Sequence, residues 1–379
     1  MSRISFARID IWLTYNTINA IIVNQTIMEK NAFAERLRSA RKMARLSMDE
    51  LAHKIGKSKN AIHKYETGQM LPDSKVLYLL AKALGVSIDY FFRKSKIKLN
   101  IPEFRKQVKA SRKQEDAILE QAKDYLERYA ELESLLDEST TFKNPLHQHP
   151  AITIPQQAEK CANEVREVWS IGTDPINNLI DLLEEYQIKV MEADADDFLD
   201  GICIPYDHHF LIVINKNKNV LRKRFSIAHE MGHALLNIPE TLEHKIKEKI
   251  CHRFASAFLM PDENFRKEFG GTRRSFSQEE LEALSLYYGV SVSALIRRAK
   301  DLGLISEERY IKFFKVWSKH GYRKKEPQEE RAKEIYQETV NRYDQLVNRA
   351  LAEGIITLNK AAYFKNMTPE ELQKGVSII

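Results

Sequence analysis

His229-Glu230-Met231-Gly232-His233 places three chemically capable side chains within five residues. On a helix, histidines at i and i+4 project from one face, so both imidazoles can reach a single metal ion. Glu230 stands beside them, placed to take a proton from water that a metal activates. A hydrolytic zinc site uses three protein ligands and keeps its fourth position for water or substrate. Glu248, fifteen residues beyond His233, is the candidate third ligand. It is expected to open a second helix reading Glu248-x-x-Cys251-His252-x-Phe254-Ala255, which ends at Leu259-Met260-Pro261. His252 shares a face with Glu248 at i+4; it either orients one of the two histidines or replaces Glu248 as the ligand. Glu243 and His244 are expected in the loop between the two helices, where they are less well held. The cofactor this pattern calls for is Zn2+.

The elements that must hold these groups follow from periodicity and turn signals. The His-Glu helix is expected over residues 219–237, preceded by helices over 158–169 and 176–186. Short strands are expected at Val190, Ile202 to Ile204 and Phe210 to Ile214, the last stopped by Asn215-Lys216-Asn217. Residues 140–156, with Pro145, Pro150 and Pro155, read as a domain linker. Ahead of it, residues 102–139 read as one long charged helix. Its Ile118, Ala122, Tyr125, Tyr129, Leu132 and Leu136 form a seam in steps of four and three. Such a seam serves either dimerisation or packing against the chain's own domains. Beyond Ser306 the chain is helical and charged, with an apolar stripe of Ile335, Val340, Tyr343, Leu346 and Leu351. A lid, a substrate clamp and a dimer surface are all open for this tail, and core packing is the default.

Charge is unevenly distributed over the 379 residues, whose net charge is +6. Residues 31–95 hold 13 Lys/Arg against 6 Asp/Glu, a local excess of +7, so the remainder carries −1. In that basic segment, short helices alternate with turn signals. Ser47 and Glu50 form a capping box, Gly56 ends one helix and Ser58 opens the next. Two short helices joined at Gly56 fit a helix-turn-helix, with the second as the groove-reading helix. Lys57, Ser58, Lys59, Asn60, His63 and Lys64 are its candidate contacts to phosphates and base edges. Leu46, Leu51, Ala52, Ile55 and Ile62 belong to its core. The run LSMDELAHKIGKSKNAIHKYETGQMLPDSKVLYLLAKALGVSIDYFF, with Tyr65-Glu66-x-Gly68, resembles the Cro/cI-type (XRE) helix-turn-helix family over residues 31–93. That resemblance implies a small five-helix domain that binds double-stranded operator DNA.

A second resemblance covers residues 157–306. RKRFSIAHEMGHALLN followed by EKICHRFASAFLMP is similar to the ImmA/IrrE metallopeptidases, peptidase family M78. It implies a zincin-like domain in which His229, His233 and Glu248 hold zinc and Glu230 is the catalytic base. It further implies cleavage of a transcriptional repressor, here another regulator or this chain itself. His252 departs from the family pattern, which has Asn or Asp there. Tyr287, Tyr288 and His320 are the candidates for an additional oxyanion donor. The alternative is a non-proteolytic transcription factor, or an antitoxin-like regulator, whose metal domain senses a ligand or partner.

The expected fold is mainly α with a small β-sheet, an α+β chain in five stretches. These are a non-conforming N-terminal extension (1–27), the helix-turn-helix domain (28–95) and a charged helix with linker (96–156). The metallopeptidase domain (157–306) and a helical C-terminal region (307–379) complete it. Met1 and Met28 are both candidate start residues. No apolar run approaches the ~20 residues needed to cross a bilayer. Cys161, Cys203 and Cys251 are odd in number and form no CxxC pair, which argues against a disulfide framework and a cysteine zinc ribbon. The expected setting is the cytoplasm without membrane partners, with a homodimer as an open possibility.

Overall fold

The computed structural model describes residues 30–93, 97, 99, 112–138, 141–197, 199–273, 275–322 and 325–375. The expectations for residues 1–27, and for the long helix between 102 and 111, lie outside the described residues. The chain divides into two compact units. One gathers the chain up to Ile97, Ala110–Glu131 and Leu351–Ile379; the other holds Lys98–Lys109 and Leu132–Ala350.

The first unit opens with α1 (30–43), α2 (Met48–Lys54), α3 (Lys59–Glu66) and α4 (Ser74–Leu84), then a 3-10 turn at Ile88–Phe92. The fifth helix of the expected bundle is thus a single tight turn. The capping box is formed as its residues imply: the Glu50 amide donates to Ser47 Oγ at 3.1 Å, and the Ser47 amide to Glu50 Oε2 at 2.6 Å. Apolar faces meet in one core in which Leu37, Leu51, Ile62, Leu80 and Phe91 are wholly buried. Buried Glu66 receives the forked guanidinium of Arg41 at 2.5 and 2.9 Å, tying α1 to α3. Helix α5 (Arg112–Leu135) follows, and its seam residues Ile118, Ala122, Tyr125 and Tyr129 are buried within the protomer. The stripe therefore has an apolar partner without a second copy.

The second unit continues with α6 (Gln157–Val168) and α7 (Leu179–Glu185), then β1 (Lys189–Ala193), β2 (Gly201–Tyr206) and β3 (His209–Asn215). The sheet order is β1-β3-β2, with β1 parallel and β2 antiparallel to β3. The β-branched run of β3 is buried because it occupies the middle of the sheet. Helices α8 (Val220–Leu235) and α9 (His244–Leu259) pack together and carry the candidate ligands. Asn219 caps α8, its side chain accepting from the Arg222 amide at 2.9 Å.

Two expectations are corrected here. Helix α9 begins at His244 rather than Glu248, so Glu243 is its N-cap and His244 lies in its first turn. Nothing between His244 and Glu248 breaks a helix, and Ile246 packs on the core. The segment taken as a linker is anchored: Phe142, Leu146 and Ile152 are buried. The Asn144 amide donates to Leu235 O at 3.0 Å, and the Ile152 N–H to Asn237 O at 2.9 Å. Pro145 and Pro155 lie in turns beside these apolar anchors.

Helices α10 (Asp262–Phe269), α11 (Gln278–Tyr288), α12 (Val292–Asp301), α13 (Glu307–Lys319), α14 (Glu329–Ile335) and α15 (Arg342–Ala352) complete the sequence of elements in this part of the chain. Two buried carboxylates from the last stretch stitch it. Glu326 accepts from the Val292 N–H at 2.7 Å and the Ser293 N–H at 3.2 Å, the start of α12. Glu338 accepts from the Leu179 N–H at 3.0 Å and the Ile180 N–H at 2.9 Å, and pairs with the Arg224 guanidinium. Arg224 also donates to the carbonyls of Ile176 at 2.6 Å and Gly289 at 3.0 Å.

The C-terminal helices α16 (Leu358–Phe364) and α17 (Pro369–Gly375) belong to the first unit. Lys360 pairs with Glu131 of α5, and the Tyr363 hydroxyl donates to the same carboxylate at 3.1 Å. Arg93 donates to Tyr363 Oη and reaches Asp124 at 3.0 Å. The tail's default reading, packing, is what these residues do.

Candidate metal centre and nucleic-acid face

Gly232 lets α8 and α9 approach closely: a Cβ there would lie 3.3 Å from Cys251 Cα and 3.3 Å from Phe254 Cδ1. That approach brings the ligand candidates together. His229 Nε2 and His233 Nε2 lie 3.2 Å apart, and each lies 3.3 Å from a Glu248 oxygen. Glu248 meets the rings with different oxygens, Oε2 toward His229 and Oε1 toward His233. A tetrahedron with zinc–ligand bonds of 2.0–2.1 Å has edges of about 3.3 Å. Each of these contacts has the length of one tetrahedral edge, two of them through different oxygens of the same carboxylate, and two imidazoles with a carboxylate are donors zinc accepts. The residues therefore fit the ion.

His252 stands one turn after Glu248. Its ligating nitrogen, that of His229 and an oxygen of Glu248 lie within 4.8 Å of one another. Its ring centroid is 4.4 Å from that of His229 and 5.9 Å from that of Phe225. Two overlapping donor groups thus share His229 and Glu248. His244, placed in α9, brings Nδ1 to 3.7 Å from Glu248 Oε1.

Burial alone would raise the Glu248 carboxyl, but hydrogen bonds to His229 and His233 hold it well below the ordinary carboxylate range. Burial favours a neutral His233 ring, yet its contacts with Cys251 and Glu248 outweigh that and push it up to about 11. Although His252 opens on the groove, the protein packed around its ring, reinforced by the nearby charge of His229, pushes it down to about 4. The outer nitrogen of His233 is met by Cys251 Sγ at 3.5 Å, whereas buried His229 Nδ1 has no hydrogen-bond partner among the described residues. Cys251 is a contact the sequence reading missed; its place three residues after Glu248, on the side of α9 facing Gly232, was the available signal.

Glu230 points to the sheet. Its Oε2 accepts the Cys203 N–H at 2.8 Å, from the outer edge of β2. Gly201 makes room: a Cβ there would lie 3.1 Å from Glu230 Cγ. By the two-residue alternation of a strand, Gly201, Cys203 and Pro205 turn their backbone groups to the edge away from β3, where Pro205 lacks an N–H. Leu99 forms an antiparallel bridge with Tyr206 at one end of it. A groove of about 1530 Å3 passes the site, lined by Gly201, Phe225, His229, Glu230, His252 and Arg297 among others. Tyr287, Tyr288 and His320 are absent from its walls. Tyr288 is buried with its hydroxyl on Asn264 at 2.5 Å, and His320 stacks on Tyr322.

In the first unit, Lys57, Ser58, Lys59, Asn60, His63 and Lys64 are all exposed along one end and face of α3. Ser58 caps the helix, accepting from the Ala61 N–H at 3.2 Å, and Lys59 reaches Asp49 at 2.6 Å. Thr67, Gln69 and Met70, just after α3, are also exposed and were not singled out from the sequence.

Residues 37–91 match the helix-turn-helix family, and residues 183–300 match the IrrE N-terminal-like domain of the M78 peptidases. The chain joins a helix-turn-helix domain to an IrrE-like domain. Among curated proteins it is similar to an uncharacterized transcriptional regulator in the ATPase CF(0) region of Rhodospirillum rubrum. The identity is 45% over 58 residues, 15% of this chain and 54% of that protein. It is also similar to the uncharacterized HTH-type transcriptional regulators YqaE and YobD of Bacillus subtilis (strain 168). YqaE is 36% identical over 61 residues, 16% of this chain and 53% of that protein. YobD is 40% identical over 58 residues, 15% of this chain and 52% of that protein. The chain spans about half the length of the curated relatives it matches. The apo form of ComR from S. Thermophilus aligns over 91% of this chain and 98% of its own, at 14% identity. Its TM-score of 0.17 is too low for the two folds to inform each other. No described helix is long and apolar enough to cross a membrane.

Proposed function

We propose that the helix-turn-helix domain binds operator DNA and that the IrrE-like domain is a zinc-dependent endopeptidase acting on a regulator protein. The regulatory half follows from the basic exposed face of α3 and from the relatives' description as transcriptional regulators. The hydrolytic half rests on one observation: two imidazole nitrogens 3.2 Å apart, each 3.3 Å from an oxygen of Glu248, with the Glu230 carboxylate on the same helix held at a sheet edge. His229, His233 and Glu248 would hold the metal. Zinc, when bound, polarises water and carbonyl groups so that water attacks near neutral pH. Glu230 takes the proton of the attacking water and returns it to the leaving amine. The Cys203 N–H fixes one Glu230 oxygen, which keeps the carboxylate at the edge of β2. An extended peptide added along that edge presents its carbonyls beside Glu230. This favours a protein substrate over a small molecule.

The test incubates purified chain, loaded with zinc, with regulators encoded near it and with itself. Glu230→Gln should retain the metal and lose at least about a hundredfold in cleavage rate. Stoichiometric zinc with no cleavage, and Glu230→Gln indistinguishable from wild type in cells, would establish instead a metal-sensing regulator. Binding to its own promoter fragment should weaken with salt by about 0.9 log units per phosphate contact for each log unit of salt. A salt-independent affinity overturns the DNA-binding half.

A further inference from the structure

We infer that His252 is a fourth, displaceable ligand of the metal centre, one that shuts the coordination position a peptidase needs open. The inference rests on the ligand reading proposed above and specifies how that site is regulated. Helix α9 sets His252 on the same face as Glu248, at i+4, so both side chains lean over one point on α8. Their ligating atoms already lie within 4.8 Å of each other and of the His229 nitrogen. Around zinc the same pairs would be about 3.3 Å apart, so the imidazole reaches the ion by moving toward His229 and Glu248, with which it already shares a donor group. The ring is guided toward that point on two sides, tilted at 43° to His229 and stacked at 28° on Phe225. It is also exposed to the groove, which gives it space to leave.

Four protein donors fill a tetrahedral zinc site, whereas hydrolysis needs three donors and one vacancy. One side chain thereby chooses between a closed, metal-storing state and an open, hydrolytic one. A substrate or partner that draws His252 into the groove opens the centre.

The full-length protein, stripped of metal, is titrated with Zn2+ against a chromophoric chelator. It is also titrated with Co2+, whose visible absorption is followed before and after adding azide. Two variants are compared with wild type: His252→Ala, and His252→Phe, which keeps a ring against Phe225. Wild type should bind one ion. Both variants should bind one ion at least about tenfold more weakly. Azide should alter the Co2+ absorption of the variants at a concentration that leaves wild type unchanged. Equal affinities, or an equal azide response in wild type, overturn the inference. Glu248→Ala separates the two levels. If it loses stoichiometric binding, the ligand reading stands whatever His252 does; if it binds as wild type does, that reading falls and this inference with it.

Discussion

Gly201 shows how little space separates the Glu230 side chain from the sheet. A Cβ at this position meets Glu230 Cγ at 3.1 Å and the Val213 carbonyl at 3.4 Å, and valine would add two methyls. Gly201→Val should turn the Glu230 carboxylate from its Cys203 partner and reduce cleavage by about a hundredfold. Zinc affinity should be unchanged, because the glycine touches no ligand candidate; chelator competition beside kcat/KM reads both. The pairing of His229 with His233 around Glu230 was legible because an i, i+4 pair states its own geometry. Cys203 and Gly201 were not, since they act through the backbone of a strand whose edge position no local pattern reveals.

At the level of elements, α12 depends on a residue from another part of the chain. Glu326 receives two of its first N–H groups and is almost wholly buried. Glu326→Ala should cost about 2 kcal/mol, through two unpaired amides and a lost anion at a helix N-terminus. Urea unfolding followed by circular dichroism would report it as a lowered midpoint. The caps at Ser47 and Ser58 could be read from sequence because each lies three residues from its partner. Glu326 and Glu338 look like ordinary surface charges among many in a charged tail. Their partners lie 34 and about 159 residues away, and only the folded chain brings them together. The same limit explains residues 141–156, whose prolines are visible locally while the carbonyls they dock on are not.

For the molecule as a whole, Glu184 makes the stability of the second unit depend on pH. Burial pushes its carboxyl up to about 7 from an ordinary 4.5, against the weaker pull of the Arg342 backbone and charge. Below about pH 4.5 the folded and unfolded chains both hold the proton, and the group contributes no penalty. As pH rises toward about 7 the unfolded chain ionises while the folded one resists, so stability falls. The full loss, on the order of 3 kcal/mol, is reached above that window. Glu184→Gln should remove this slope. Unfolding midpoints of variant and wild type should therefore diverge, in the variant's favour, between pH 4.5 and 8.

The Arg224–Glu338 clasp bears on where this protein can be divided. The recognisable IrrE-like stretch ends at residue 300, but the anion that neutralises its fully buried Arg224 lies well beyond that boundary. A fragment cut to the familiar outline would strand a guanidinium in the interior and leave the first amides of α7 without an acceptor. Uncompensated burial of that kind costs about 3–5 kcal/mol, a large part of what keeps an ordinary domain folded. The tail thus works as a keystone, so proteolytic trimming between α12 and Glu338 would destabilise the domain without removing any of the metal-ligand candidates.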